Sequence, residues 1–202
     1  MSTRTVALAS RNPGKLREIR SILSESAVEL DVVSSDDFPD WVPPIETEPD
    51  YAGNALLKAR SLASFAGMPS LADDSGIEVD ALDGGPGPRS ARFAGENATD
   101  QENLQKLIDV VRGTPEPQRT ARYRCVAVLV TPEGTESFAF GGVEGTLIIE
   151  PRGSGGFGYD PIFVADGETR TMGELSPEEK DKISHRGKAF RGLIEALRSL
   201  PG

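Results

Sequence analysis

The strongest constraint on this chain is an apolar run that stops at two acidic residues. Segment 71–77 reads Leu-Ala-Asp-Asp-Ser-Gly-Ile, and carboxylates at the end of a buried strand are costly unless they face water, a cation or a substrate. Asp-Ser-Gly is also ordinary turn chemistry. Because Ile77–Leu82 alternates apolar and acidic residues, we expect a strand to resume there, with Asp73 and Asp74 exposed at a kink between two strands. Such oxygen ligands suit Mg²⁺ held together with a phosphate substrate.

Length and composition predict an ordinary globular protein. The 202 residues suffice for one domain built as two lobes, and 37% hydrophobic with 27% charged residues is typical of soluble proteins. No run approaches the roughly 18 apolar residues of a membrane span, and the N-terminus lacks an apolar signal-peptide core. We therefore expect no membrane partner and a cytoplasmic location.

Charge and cysteine content narrow the class of partner. A formal charge of −10 argues against nucleic acid, which rewards a basic surface, so an anionic substrate must meet a local cluster of cations. Cys125 is the only cysteine, which rules out an internal disulfide and favours a reducing compartment. It lies in an apolar run and is interpreted as a small core residue.

The N-terminal segment has the pattern of a phosphate-binding loop. Thr5–Ala9 is predicted to be a buried strand, followed by the polar loop Ser10–Lys15 and a helix with Asn12 as its N-cap and Pro13 at its first position. Free backbone N–H groups at such a helix start can hold an anion. Lys15 is either a phosphate ligand or a solvated surface lysine, and the sequence does not favour one over the other.

A second helix is predicted over Tyr51–Ala66, ended by a glycine. Asn54 and Lys58 are one turn apart, so both could reach the same ligand, although an exposed polar face explains them equally well. The preceding segment, Pro39–Pro49, is rich in proline and acidic residues and is predicted to be a loop. Glu46 in that loop is a candidate ligand for a cation.

The second half of the chain combines strands with a glycine-rich segment. Phe157 and Tyr159 are embedded in Gly153–Pro161, and aromatic rings beside glycines suit stacking on a flat base, whereas a flexible linker is the alternative. The strands predicted in this half are Arg119–Val130 and Glu136–Gly142 as a hairpin, Gly145–Glu150, and Ile162–Val164.

The C-terminal segment is predicted to be helical from the capping box at Ser176, with a break near Gly187. Lys180, His185 and Arg186 stand near that break. His185 is the only histidine, which excludes a multi-histidine metal site. A lone histidine is more often structural than functional, but two neighbouring cations in an acidic chain favour a role in binding an anion.

Separated motifs in this order resemble the inosine triphosphate pyrophosphatase family, and the match runs from Val6 to Leu197. The motifs are Ser10-x-Asn12-x-x-Lys15, Asn54-Ala55-x-x-Lys58-Ala59, Ala72–Gly76, Gly155–Pro161 and Ser184–Gly187. Each is weak alone, but their combined order and spacing are highly specific.

The resemblance implies an α/β fold that is elongated and two-lobed, with a long mixed β-sheet flanked by helices and a central active-site cleft. It implies one pyrophosphatase domain over residues 1–202, working as a homodimer. It also implies Mg²⁺-dependent hydrolysis of the purine nucleoside triphosphates ITP, dITP and XTP to the monophosphate and pyrophosphate, which removes deaminated nucleotides from the pool.

The resemblance further implies roles for individual residues. Asp74 is the expected proton acceptor and a metal ligand, Glu46 is a second metal ligand, Asp73 supports the metal, and Lys58 adds positive charge nearby. The expected substrate-binding residues are Ser10, Arg11, Asn12, Pro13, Gly14 and Lys15 for the phosphates, Ser75 beside them, and Phe157, Gly158, Tyr159, Asp160, Lys180, His185 and Arg186 around the nucleotide. Within this set, Phe157 stacks on the base, and Arg186 or backbone N–H groups near His185 donate to the 6-oxo group.

One position departs from the family pattern. The family usually has an acidic residue immediately before the helix asparagine, whereas this chain has Gly53, and Asp50 or Glu48 would have to compensate. Two alternatives stay open at this point. They are a Maf-like pyrophosphatase acting on other nucleotides and a nucleotide-binding module without catalytic activity.

Overall fold

The computed structural model describes residues 4–26 and 28–201, in which strands and helices alternate up to the fourth strand, two more strands follow, and a helical segment comes last. The strands are β1 (Arg4–Leu8), β2 (Leu30–Ser34), β3 (Ser70–Val79), β4 (Thr120–Val130), β5 (Glu136–Leu147) and β6 (Phe163–Ala165). The helices are α1 (Pro13–Ser24), α2 (Tyr51–Ala66), α3 (Asp100–Val111), α4 (Pro177–Ile183), α5 (His185–Gly192) and α6 (Ile194–Arg198).

The six strands form one mixed sheet in the order β2-β1-β3-β4-β5-β6. Strand β1 runs parallel to both β2 and β3, whereas β5 and β6 are antiparallel. Helices flank this sheet, so the predicted α/β class with a long mixed sheet is confirmed. Among the described helices, none has the length and apolar character needed to cross a membrane.

The chain divides into two compact units. The first takes its residues from Met1–Asp74, Cys125–Gly141 and Arg186–Gly202, and the second from Ser75–Arg124 and Gly142–His185. The single domain predicted over 1–202, which includes positions outside the described residues, stays a prediction, as does its central cleft.

In the first unit, apolar side chains cover both faces of the sheet. Val6 and Leu8 of β1 pack with α1, α5 and α6, whereas Ala7 and Ala9 pack with α2. Residues 125–130 of β4 alternate between the same two clusters. Because successive side chains of a strand point to opposite faces, the continuous apolar run of 125–130 reflects this double coverage.

In the second unit, the sheet has one apolar face and one charged face. Tyr123 of β4 lies in a buried cluster with α3. Arg122 and Arg124, on either side of it, form ion pairs with Glu144 of β5, at 3.3 Å from Arg122 Nε and 2.7 Å from Arg124 Nη1. The polar and apolar alternation of residues 120–124 is thus the signature of a strand half-buried against helix α3.

The structure corrects three sequence predictions. Strand β3 runs without interruption through Asp73 and Asp74, which are only 2% and 4% exposed, so the exposed kink was wrong. The first half of the separate strand predicted at Gly145–Glu150 is instead the end of β5, and residues 148–150 are in no strand. The C-terminal helices break at Ser184, whose backbone is extended, and Gly187 lies inside α5.

Candidate functional site

A buried carboxylate is the centre of the candidate site in the first unit. Asp73 Oδ2 lies 3.0 Å from Lys15 Nζ of α1 and 3.3 Å from Arg186 Nε of α5. The guanidinium of Arg186 also pairs with Glu18, one turn beyond Lys15 on α1. Three elements distant in sequence therefore converge on one buried charge.

The cations decide the ionisation of Asp73. Burial alone would raise its pKa, but Lys15, Arg186 and Lys58 outweigh burial and hold the pKa well below its usual range. Cys125 Sγ lies 3.8 Å from Asp73 Oδ2, and burial together with this carboxylate raises the pKa of the thiol. Cys125 is therefore a buried core thiol, as predicted.

Asp74 has a different environment from Asp73. Its Oδ1 lies 3.7 Å from Lys58 Nζ, and its Oδ2 accepts a hydrogen bond of 3.3 Å from Asn54 Nδ2. Burial raises the pKa of Asp74 despite the opposing effect of Lys58. Lys58 also donates to Glu46 Oε1 at 2.6 Å, so one ammonium group joins the two predicted metal ligands. Burial alone would lower the pKa of Lys58, but the charges of Asp74 and Glu46 outweigh burial and raise it.

These carboxylates fit a divalent cation. Glu46 and Asp74 both face one cation, the Lys58 ammonium, and in the described part of the chain Asp73 Oδ1 is buried without a hydrogen-bond partner. No cluster of three or more acidic, histidine or cysteine ligands occurs among the described residues. Mg²⁺ is usually held by one or two carboxylates plus phosphate oxygens and water. Two carboxylates are therefore enough ligands from the protein.

The start of α1 differs from the expected anion cradle. Asn12 Oδ1 accepts hydrogen bonds from the backbone N–H groups of Gly14 and Lys15, at 2.8 and 3.1 Å, so these two groups cap the helix and are not free for phosphate. Arg11 donates to the Trp41 carbonyl at 2.7 Å. Any phosphate bound here must be held mainly by side chains, because the capping bonds already use the backbone donors.

In the second unit, Asp160 organises the glycine-rich segment. Its Oδ2 accepts from the Phe157 backbone N–H at 2.8 Å and from Lys180 Nζ at 2.6 Å, and its Oδ1 accepts from the Tyr123 hydroxyl at 3.4 Å. The Lys180 ammonium also lies 5.0 Å from the centroid of the half-buried Phe157 ring. Lys180, Phe157 and Asp160 thus form one connected group.

Two further predicted residues of this unit have structural partners. The His185 ring stacks on Tyr123, with centroids 4.5 Å apart and planes 8° from parallel. The Tyr159 hydroxyl donates to the Ser90 carbonyl at 2.7 Å, and burial raises the pKa of Tyr159. Tyr159 therefore braces the segment from inside, and its part in shaping a base pocket stays a prediction.

Backbone contacts at two glycines hold further parts of the site in place. One is Gly158 in the glycine-rich segment, and the other is Gly76 in the acidic motif. Asp100, in the first turn of α3, accepts from the Gly158 backbone N–H at 3.2 Å. A Cβ added at Gly76 would come within 2.2 Å of the Gly87 carbonyl oxygen. The glycine after Ser75 is therefore required by a close backbone approach, which is a physical reason for this part of the motif.

The predicted residues fall into two described groups. The first unit brings together Asp73, Asp74, Glu46, Lys15 and Lys58, while Ser10 to Gly14 lead into and begin α1. The prediction that Arg186 donates to the purine has no support, because its guanidinium pairs with Asp73 and Glu18 and the residue is 2% exposed. The second unit brings together Phe157, Asp160 and Lys180.

Sequence reasoning missed several partners of these residues. Glu18 could have been found, since it lies three residues after Lys15 on the same face of α1. Tyr123, Ser90 and Asp100 carried no comparable signal, because each reaches its partner across a large separation in sequence.

A family model matches most of the chain. The Ham1 family matches residues 6–196, and the chain belongs to this family.

Curated relatives and solved structures match nearly the whole chain. A dITP/XTP pyrophosphatase of Streptomyces coelicolor is 48% identical over 195 residues, covering 96% of this chain and 98% of the relative. One from Escherichia coli K12 is 46% identical, with the same coverage. A HAM1 protein structure from Coxiella burnetii superposes with a TM-score of 0.86 at 38% identity, covering 98% of this chain and 100% of that one. The dITP/XTP pyrophosphatase structure from Mycobacterium abscessus has a TM-score of 0.73 at 41% identity, covering 97% and 100%.

Replacing the central carboxylate should destabilise the fold. We expect Asp73→Asn to lower the free energy of unfolding by about 3–5 kcal/mol, because Lys15 and Arg186 would lose their buried counter-charge. Urea unfolding followed by circular dichroism measures this change. Glu195→Gln, which removes an exposed pair with Arg198, is the control and should change stability by less than about 1 kcal/mol. Equal effects of the two substitutions would contradict the assignment.

Proposed function

We propose that this chain hydrolyses the non-standard purine nucleoside triphosphates ITP, dITP and XTP to the nucleoside monophosphate and pyrophosphate. Relatives named dITP/XTP pyrophosphatases match it at 46–48% identity over nearly its full length. The observation that carries the proposal is the buried Asp73–Asp74 pair, with lysines at 3.0 and 3.7 Å, in a chain whose net charge is −10. Cations concentrated at two carboxylates in an acidic protein suit a polyanion bound with a metal ion.

In this proposal Asp74 accepts the proton of the attacking water. The water oxygen bonds to the α-phosphorus, the bond from that phosphorus to the bridging oxygen breaks, and pyrophosphate leaves with the bridging oxygen. A general base must have an oxygen within hydrogen-bond reach of the water, and Asp74 is a carboxylate held in one position by its contacts. Asn54 and Lys58 orient its two oxygens by the contacts described above.

Mg²⁺ is the proposed cofactor, with Glu46 and Asp74 as its protein ligands and Asp73 in support. When bound, Mg²⁺ supplies a Lewis acid that stabilises charge on the phosphate oxygens. The carboxylates and the shared Lys58 ammonium support this assignment by their chemistry. Glu46 is the more accessible of the two ligands, since its side chain is 23% exposed against 6% for Asp74.

The remaining predicted residues complete the proposal. Side chains of Ser10, Arg11, Asn12 and Lys15, with Pro13 and Gly14 setting the turn, would bind phosphates, and Ser75 would contact the substrate. Phe157 would stack on the base, since its ring is half-buried and already lies near the Lys180 cation. With Arg186 engaged by Asp73, backbone donors near His185 are left to recognise the 6-oxo group.

The homodimer and the cytoplasmic location belong to this proposal as well. The homodimer is supported by resemblance to the family alone. The location is supported by the single cysteine, buried and without a disulfide.

A substrate panel tests the function directly. Pyrophosphate release should be at least about 100-fold faster, in kcat/KM, for ITP, dITP and XTP than for ATP, dTTP or UTP, because a site built on hydrogen bonds rejects analogues that leave its donors unpaired. Chromatography of the products should show the monophosphate and pyrophosphate. Faster hydrolysis of dTTP or UTP would instead indicate a pyrophosphatase for other nucleotides.

Asp74→Asn should separate binding from chemistry. The amide keeps the shape of the side chain but cannot accept the proton, so we expect kcat for ITP to fall by about 10²–10⁴-fold while calorimetry still detects ITP binding. Asp109→Asn, a change on the exposed face of α3, is the control and should leave kcat unchanged. A kcat within threefold of the wild type in Asp74→Asn would exclude this base.

Removing divalent cations should abolish turnover. In excess chelator we expect pyrophosphate release from ITP to fall to the uncatalysed rate, because the carboxylates and phosphates would face each other without a shared cation. Added Mg²⁺ in excess should restore the rate. Turnover that persists in chelator would remove the metal ion from the mechanism.

A further inference from the structure

Helix α2 holds the loop that carries Glu46 at three points. Later residues of the loop contact earlier residues of the helix, so the loop runs along α2 in the opposite direction. The contacts are Trp41 Nε1 to Ser61 Oγ at 3.1 Å, Lys58 Nζ to Glu46 Oε1 at 2.6 Å, and the side-chain amide of Asn54 to the Glu48 backbone. The loop has no helix or strand of its own between residues 38 and 50, so such contacts set its position.

Asn54 differs from the other two because its amide is fully used and nearly inaccessible. The residue is 2% exposed. Its Oδ1 accepts from the Glu48 N–H at 3.0 Å, and its Nδ2 donates both to the Glu48 carbonyl at 3.1 Å and to Asp74 Oδ2 at 3.3 Å. One side chain thus joins the loop, two residues beyond Glu46, to the aspartate on β3.

Gly53 permits this arrangement. A Cβ added there would lie 2.7 Å from Glu48 Cβ and 2.8 Å from Glu48 Cγ, closer than real contacts of this kind. The first of these atoms is attached directly to the Glu48 backbone, which Asn54 holds, so relieving the clash requires the loop itself to shift. A residue without a Cβ at position 53 is therefore needed for Glu48 to lie where it does.

We propose that Asn54 is a positioning residue that fixes the spacing between Glu46 and Asp74, with Gly53 leaving room for the loop to lie there. This inference rests on the proposed function insofar as Glu46 and Asp74 are taken as the metal ligands. Groups that orient metal ligands typically change metal affinity by about 10–100-fold when they are removed. In this assignment Asn54 does not touch the substrate. It contacts Asp74, the proposed proton acceptor, and acts through the two carboxylates.

Binding of Mn²⁺ alone to the intact, substrate-free protein tests the inference without relying on turnover. Asn54→Ala should weaken Mn²⁺ binding, measured by calorimetry, by about tenfold or more. Ser61→Ala is the control. It removes a hydrogen bond between α2 and the same loop, whereas Asn54→Ala removes two bonds to the loop and the bond to Asp74. The Ser61→Ala variant should bind Mn²⁺ as the wild type does.

Gly53→Ala is an independent second variant that leaves the Asn54 side chain in place. Alanine is the better helix former, so a purely local role for this residue predicts equal or higher thermal stability with unchanged Mn²⁺ affinity. The proposed positioning predicts weaker Mn²⁺ binding, by about threefold or more, because Glu48 must shift. This variant decides the question if Asn54→Ala does not fold.

Three results would overturn the inference. They are wild-type Mn²⁺ affinity in folded Asn54→Ala, an equal loss in Ser61→Ala, and no Mn²⁺ binding by the wild type itself. Pyrophosphate release from ITP by the wild type, measured in parallel, tests the proposed function separately. A protein that binds Mn²⁺ in an Asn54-dependent manner but releases no pyrophosphate would refute the function and leave the positioning role standing.

Discussion

The ion pairs of Asp73 are the interaction on which the first unit depends. An ionised carboxylate inside a protein is tolerated only when opposite charges and hydrogen bonds replace water. Lys15 from the start of α1 and Arg186 from the start of α5 supply these charges on the same oxygen. Because Arg186 is 113 residues away in sequence, this one contact ties the C-terminal helices to the strand that carries the acidic motif.

Adjacent aspartates on one strand thereby acquire opposite properties. Cations hold the pKa of Asp73 low, whereas burial raises that of Asp74. Since successive residues of a strand point to opposite faces, each carboxylate meets a different set of neighbours. Divergent environments for neighbouring acids are a common way to divide structural and acid–base roles within one site. The acidic motif thus supplies a fixed anchor and a candidate base side by side.

Local signals in the sequence predicted the helices well. The bounds of α2, the Asn12 cap of α1 and the capping box at Ser176 were all correct, because each depends on residues within one or two turns. The helix break was placed at Gly187 by composition, although an extended backbone at Ser184 forms it.

The environment of the acids was harder to predict than the helices. The exposed kink was wrong because nothing near Asp73 in sequence shows that Arg186 will reach it. The backbone donors of Gly14 and Lys15 were expected to be free for phosphate, yet the Asn12 side chain that correctly marked the helix start is what occupies them. The motifs therefore indicated where to look for a site. The charges that surround its acids became apparent only from the fold.

The position of Cys125 makes it an internal reporter. Its sulfur lies inside the first unit beside Asp73, and the pKa of its thiol is raised. In the folded state, reagents that react with a thiolate therefore cannot reach the sulfur and find it protonated. Alkylation of this sole thiol therefore requires the interior to open. The rate of labelling would measure how often the packing around the acidic strand comes apart, in a chain that needs no engineered probe.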